Sequence, residues 1–189
     1  MEQAKKWKYN YIDCLDLSNI TWLTLTEEEY VQFIQRNYFD EELEEYVVDE
    51  SQDVPFGLHY VCTFQNHTTK YILGVVLNRI QKLTIVAACM YDNEYYAFQG
   101  QTIPATYIIT VETNKYLRNR GLYHELCNAI SHSIDYERPV ICSEESVQGK
   151  ICHTFQTLKE NLKENGFSNL IIHDNDLFKN KRQYQKRLL

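Results

Sequence analysis

Apolar positions along this chain change period repeatedly, and each change predicts an element. The first segment, YNYIDCLDL (Tyr9–Leu17), has the alternating, β-rich character of a strand. TLTEEEYVQFIQRNY then shifts to helical spacing: Tyr30, Phe33 and Ile34 share one face, Thr26 is the N-cap, and Glu27 to Glu29 suit the positive end of the helix dipole. Beyond an acidic stretch that admits a second short helix, LHYVCTFQ and KYILGVVLN are strand-like runs separated by the polar NHTT, which predicts an antiparallel hairpin. LTIVAACMY is another apolar run of strand length. YDNEYYAFQGQTIP reads as a loop rich in turn formers and aromatics, and ATYIITVET as a strand.

Helical spacing returns in GLYHELCNAISHSID, where Leu122, Leu126, Ala129, Ile130 and Ile134 bury one face. RPVICSEES is a short strand running into a polar turn. Ile151, Cys152, Phe155, Leu158 and Leu162 mark a further helix, stopped at Asn165-Gly166 where glycine takes the left-handed conformation. NLIIHD is a strand, and QYQKRLL can pair back on it. Hairpins mixed with crossovers in this order imply an α/β fold of mixed α+β type, a mixed sheet covered by helices, and exclude a regular doubly wound sheet.

Composition narrows this picture. The 189 residues suffice for one domain, 1–189, with a continuous core, and three prolines and six glycines leave no composition break at which to divide it. A net charge of −7 argues against a dedicated nucleic-acid binder, since phosphate affinity needs clustered Lys and Arg. Negative charge gathers in DEELEEYVVDESQD (Asp40–Asp53), read either as a solvated face or as a rim that attracts a cationic substrate. The N-terminal MEQAKKWKYN lacks the apolar core of a signal peptide and no run approaches a membrane span, so a cytoplasmic protein with free thiols is expected; its six cysteines are scattered without CxxC pairing.

The chemistry concentrates in LRNRGLYHEL (Leu117–Leu126), between a strand and a helix. A strand that opens into a helix aims unpaired amides and the positive end of the dipole at one place. Arg118 and Arg120 add charge there, and Gly121 lets backbone approach a phosphate. Neither GxxxxGK[ST] nor a strand-borne GxGxxG is present, so nucleotide hydrolysis and dinucleotide binding lose their usual signatures. His124-Glu125 begins like HExxH, but Asn128 stands where the second His is needed, so no metal is expected.

VETNKYLRNRGLYHEL resembles the acyl-CoA-binding motif of the GNAT acetyltransferases, which runs strand, then Gln/Arg-x-x-Gly-x-Gly/Ala, then helix. Arg118 and Gly121 match, with Asn119 and Arg120 between them, while Tyr123 stands where the family prefers Gly or Ala; its side chain must point away from the pyrophosphate or replace part of the backbone contact. The order of elements from Tyr9 to Leu188 also follows the family, including Gly166-Phe167, with LTIVAACMY as an extra strand or the continuation of a long one. The resemblance implies a GNAT-like central sheet, mixed and mostly antiparallel, splayed between the strand ending at Thr113 and the strand of RPVICSEES. It implies N-acetyl transfer from acetyl-CoA, as co-substrate, to a primary amine by direct attack.

By position, Val111 and Thr113 would offer backbone to the pantetheine amides, and Arg118, Asn119, Arg120, Gly121, Leu122 and Tyr123 would surround the pyrophosphate. The family's usual tyrosine acid is replaced by Leu162, which leaves Tyr107, Glu112 and His153 as catalytic candidates. Each has a bland reading too, as sheet packing, strand-end charge and helix surface respectively. Cys152 beside His153 is not a dyad, because adjacent helical residues point about 100° apart. The implied acceptor is a small-molecule amine or an amine of a protein or peptide. The basic tail (Lys179, Lys181, Arg182, Lys186, Arg187) is read as the outward charges of a last strand, with tRNA as the one nucleic acid left open; no membrane partner is expected, and a homodimer is admitted. A protein that keeps the fold and binds acyl-CoA without turnover, or that presents its acidic surface to a partner, is the alternative.

Overall fold

Where the first helix begins is set by a reciprocal pair of hydrogen bonds. In this computed structural model, which describes residues 15–40, 45–46, 69–77, 83–98, 100–114, 117–142, 153–167 and 171–173, strand β1 (Thr21–Thr26) runs straight into helix α1 (Glu27–Tyr38). The Glu29 amide donates to Thr26 Oγ1 at 3.3 Å, and Glu29 Oε2 accepts from the Thr26 amide at 2.8 Å and hydroxyl at 3.0 Å. These bonds hold the Glu29 carboxyl below its ordinary value. Tyr30 and Ile34 are buried with Phe33 packed beside them, as the spacing predicts.

Of the strand expected over Tyr9–Leu17, only residues 15–17 are described. Asp16 accepts from the Ser18 amide at 3.0 Å and caps a short 3-10 turn over Leu17–Asn19, and the first described strand begins after it at Thr21. Residues 9–14 of the expected strand lie outside the described residues. Within the acidic stretch, β2 (Phe39–Asp40) pairs antiparallel with β3 (Glu45–Tyr46), and residues 47–53 lie outside the described residues.

The remaining strands are β4 (Thr69–Leu77), β5 (Leu83–Phe98), β6 (Gln101–Thr113), β7 (Val140–Cys142) and β8 (Ile171–His173). Together with β1 they form, among the described residues, a six-stranded sheet in the order β1-β4-β5-β6-β7-β8. The first three junctions are antiparallel and the last two parallel. Helix α2 (Leu122–Ser133) makes the crossover from β6 to β7, and helix α3 (His153–Leu162) the crossover from β7 to β8. The fold is thus a mixed α+β one, a mostly antiparallel sheet flanked by helices.

One expectation is corrected here. YDNEYYAFQGQTIP is not a loop: β5 runs through it to Phe98 and β6 restarts at Gln101, with Gly100 at φ +79° in the turn. Its Asp, Asn and Glu have low strand propensity, yet cross-strand contacts override this, as where Thr106 Oγ1 donates to Asn93 Oδ1 at 2.7 Å. LTIVAACMY is accordingly the first half of one long strand. LHYVCTFQ and QYQKRLL lie outside the described residues, and the described partners of KYILGVVLN are β1 and β5.

Alternation divides the sheet into two faces. Ile72, Ala87, Cys89, Tyr91 and Ile108 face α2 and α3, where Leu126, Ile130, Leu158, Leu162 and Phe167 close a core. Tyr71, Leu73, Val75, Ala88 and Met90 face α1 and pack on Tyr30 and Ile34. Helix α3 ends as expected: Gly166 takes φ +94°, and Phe167, fully buried, stacks on Tyr136 at 4.5 Å.

One glycine is required by close approach. Gly74 pairs with Trp22, and a Cβ there would lie 2.8 Å from Trp22 Cη2 and Cζ3. Gly74→Ala should cost about 1–3 kcal/mol in urea unfolding, the usual penalty for overpacking. Combining it with Trp22→Leu should show coupling, because the two changes share one contact.

Candidate functional site

The geometry of the site follows from one extra residue in β6. Tyr91 pairs with Ile108 and Met90 with Thr110, so Ile109 is a bulge. Backbone polar groups of successive strand residues point to opposite edges, and a bulge reverses that parity. Below it, the Thr106 amide donates to Pro139 O at 2.9 Å, so even-numbered residues face β7; above it, the Asn114 amide donates to Val86 O at 2.9 Å, so even-numbered residues face β5. The N–H and C=O groups of Val111 and Thr113 therefore point to the β7 side of the sheet.

On that side the pairing of described residues ends at Ile108–Cys142, one residue before the bulge, while β6 continues to Thr113. Bulges bend a strand and increase its twist, so β6 turns just past its last described parallel pair. Side-chain parity reverses as well. Ile108 and Val111 both pack toward α2 and α3, while Ile109 packs toward α1.

Past β6 the chain is pinned before it turns. The Leu117 amide donates to Asn114 O at 2.9 Å, and Leu117 is fully buried among Val76, Val86, Leu122 and Leu15. Arg118, Asn119 and Arg120 are then exposed. Asn119 has φ 63°, the one positive-φ non-glycine among the described residues, and Gly121 has φ +82°. Left-handed residues two apart turn successive amides toward one side, the concavity that receives anions.

Gly121 is the N-cap of α2, and its carbonyl accepts from the His124 amide at 3.0 Å and the Glu125 amide at 3.4 Å. A Cβ on Gly121 would meet nothing within 4 Å, so glycine is needed here for its dihedral angle, and the space beside it is open. The amides of the first turn and the dipole face that space.

Tyr123 is half-buried against the α2 and α3 core and hydrogen-bonds the Cys127 thiol one turn along the helix. Its side chain is thereby turned away from the loop, one of the two alternatives its position allowed. Leu122 is buried and contributes only backbone to the loop.

Of the catalytic candidates, Tyr107 and Glu112 lie on the α1 face of β6, on either side of the bulge. Tyr107 is 9% exposed, packs with Ala105 and Ile141, and its ring lies 5.7 Å from that of Tyr96. Glu112 keeps one face in solvent, but desolvation on the other pushes its carboxyl upward, opposed by a hydrogen bond with Thr110 and the charge of Arg118. His153 opens α3, and its side chain lies outside the described residues. Leu162 is fully buried in the core.

The remaining candidate chemistry resolves into structure. His124 is exposed, and Asn128 accepts a hydrogen bond from Asn161 of α3. Among the described residues no group of three or more His, Cys, Asp or Glu is placed to hold a metal ion. Cys89, Cys127 and Cys142 are buried outside any disulfide; burial pushes the Cys127 thiol up to about 11 and the Cys89 thiol further still, so neither of these two is a nucleophile near neutral pH. No described helix is long and apolar enough to cross a membrane.

Of the polar row on the α1 face, the sequence singled out Tyr107 and not Thr69 or Asp92. Thr69, Asp92 and Tyr107 are register partners across β4, β5 and β6, with Asp92 8% exposed. Tyr91, Asn93 and Tyr95 alternating with Asp92, Glu94 and Tyr96 was the available signal.

No family model matches this chain, and no curated protein matches it. Among solved structures it is similar to an aminoglycoside acetyltransferase from an uncultured soil metagenomic sample, in complex with trehalose, at 13% identity and TM-score 0.42 over 78% of this chain and 87% of that one. It is also similar to a protein from Clostridium difficile 630 described as a possible acetyltransferase, at 19% identity and TM-score 0.40 over 74% of this chain and 88% of that one. A third likeness, to a KacTA-DNA complex, has 10% identity and TM-score 0.39 and covers 59% of this chain and 64% of that one, just under two thirds. Likenesses this loose assign neither family nor activity.

The dihedral angle of Gly121 gives a direct test. Gly121→Ala should destabilise the fold by about 1–2 kcal/mol, the cost of a left-handed alanine, because the open space around it rules out a clash. Thermal and urea unfolding measure this, and Gly121→Asn should lose less than alanine does.

Proposed function

We propose that this chain is a GNAT-type N-acyltransferase that moves an acetyl group from acetyl-CoA to a primary amine by direct attack. The observation that carries the reading is the bulge at Ile109. It turns the backbone of Val111 and Thr113 toward the β7 side of the sheet, beyond the last parallel pair among the described residues, before a loop whose left-handed Asn119 and Gly121 open α2. An extended chain of amides ending in a pyrophosphate matches such a surface: sheet-edge donors and acceptors for the pantetheine, then loop amides for the phosphates.

Bound acetyl-CoA would supply an activated thioester carbonyl. The chain's part is to position it and move two protons. Val111 and Thr113 bind the pantetheine amides through backbone. Arg118 and Arg120 add charge at the pyrophosphate, where Asn119, Gly121, Leu122 and Tyr123 contribute amides. As the amine nitrogen bonds to the carbonyl carbon and the C–S bond breaks, one proton leaves nitrogen and one reaches sulfur. We assign proton acceptance to Glu112, whose raised affinity for a proton suits a base, and protonation of sulfur to Tyr107, with His153 as the other candidate. The buried free thiols suit the reducing cytoplasm.

A second reading, a protein that binds acyl-CoA without turnover, is favoured by Leu162. The residue at the place of the family's usual acid has an apolar side chain fully buried in the core, which can donate no proton.

Isothermal titration should detect acetyl-CoA binding that weakens at least tenfold on charge reversal of Arg118 and Arg120 together; absence of affinity for any CoA ester would overturn both readings. Thiol release with a panel of amines separates them, since the binding protein releases none. For Glu112 the sign is fixed by its upward shift: the base is protonated at low pH, so kcat/KM should climb as pH rises through that raised value. Glu112→Gln should lower kcat and remove that limb of the profile.

A further inference from the structure

The α1 face of the sheet carries a polar row of which the proposed chemistry uses Tyr107 alone. Asp92 stands in register between Thr69 on β4 and Tyr107 on β6, and alternation puts all three on one face. Thr69 is 2% exposed, and its Oγ1 has no hydrogen-bond partner among the described residues. Glu27, first residue of α1, has a buried Oε2 that also lacks one among the described residues. Aromatic rings wall the row: Tyr71 stacks on Tyr30 of α1 at 4.0 Å with an interplanar angle of 8°, and Tyr96 lies against Tyr107.

Two carboxylates, a buried hydroxyl and tyrosine rings are the complement of an ammonium group. An ammonium offers three N–H donors and no acceptor, and its charge is attracted to ring faces. The carboxylates bear on the rings as well. The charges of Glu27 and Asp92 add to burial in pushing the Tyr71 hydroxyl up to about 12, and those of Asp92 and Glu94 act likewise on Tyr96. These phenols are neutral near pH 7 and remain hydrogen-bonding groups that a cation would relieve of a negative field.

We propose that Asp92, Glu27 and Thr69, walled by Tyr71, Tyr96 and Tyr107, form the site that binds the cationic amine acceptor. The assignment to an acceptor rests on the acyltransferase reading; the ammonium site itself does not. Chain order gives the connection. If the pyrophosphate lies at residues 118–123 and the pantetheine passes Thr113 and then Val111, the thioester comes next toward Ile109 and Tyr107. The row begins there, within about two to four strand residues, or roughly 7–13 Å. The recognising charge is thus carried on the sheet face itself, and the acidic run from Asp40 to Asp53 is not needed for it.

The test uses the full chain without CoA, with n-butylammonium, 1,4-diaminobutane and the uncharged 1,4-butanediol as probes, followed by amide NMR shifts. Saturable shifts at Thr69, Asp92 and Tyr107 with both amines and none with the diol are expected. Asp92→Asn should weaken binding at least tenfold, and the near-isosteric Thr69→Val several-fold, while acetyl-CoA affinity measured on the same folded samples stays within twofold. Wild-type protein that ignores both amines, or variants that fold and bind them as the wild type does, would overturn the site. Ammonium binding in a protein without CoA affinity would leave the site standing and remove its role as acceptor subsite.

Discussion

Everything that the site offers depends on a count of residues in β6. With Ile109 as the extra residue, even-numbered amides face β7 below it and β5 above it, and the α2 core receives both Ile108 and Val111. Were β6 to alternate strictly through Ile109, Glu112 would turn into the apolar core and the backbone of Val111 would be spent on β5. A deletion of Ile109 would instead set Thr110 next to Ile108, keep the facing of every residue to Thr113, and remove only the local bend and added twist.

The bulge works together with two anchors. Asn114 is tied to Val86 and Leu117 is sunk among residues of β4, β5 and α2, so the exposed turn from Arg118 to Gly121 is held at its entrance by the sheet and at its exit by the helix. A loop carried in this way can be polar and open without being loose. The same construction sends the Tyr123 ring toward Cys127, so a bulky residue is accommodated where a small one would be expected beside a phosphate.

Much of this was legible in the sequence, for physical reasons that also mark where it stopped. The α1 capping box is local: Thr26 and Glu29 satisfy one another, and the reading of that helix from Thr26 onward matches the structure. Helix α2 and the Gly166 stop are local in the same sense. The hairpin through YDNEYYAFQG was missed because its stability lies between strands, in pairs such as Asn93 with Thr106, which no single segment displays. Asp92 was hidden for the same reason. A carboxylate beside Asn and Glu reads as turn chemistry until register sets it between Thr69 and Tyr107. The loop at Gly121 was visible as charge around a glycine, but the direction of the Val111 and Thr113 backbone depended on a bulge without a sequence signature.

The three thiols buried among the described residues carry a further meaning for the physical study of this protein. Cys89, Cys127 and Cys142 come from β5, α2 and β7, three elements that meet in a single core, and burial keeps them as unreactive thiols there. A thiol reagent can reach them only when that core opens. Their labelling rate is therefore an intrinsic gauge of how often the sheet and α2 part company, readable without a probe having to be introduced.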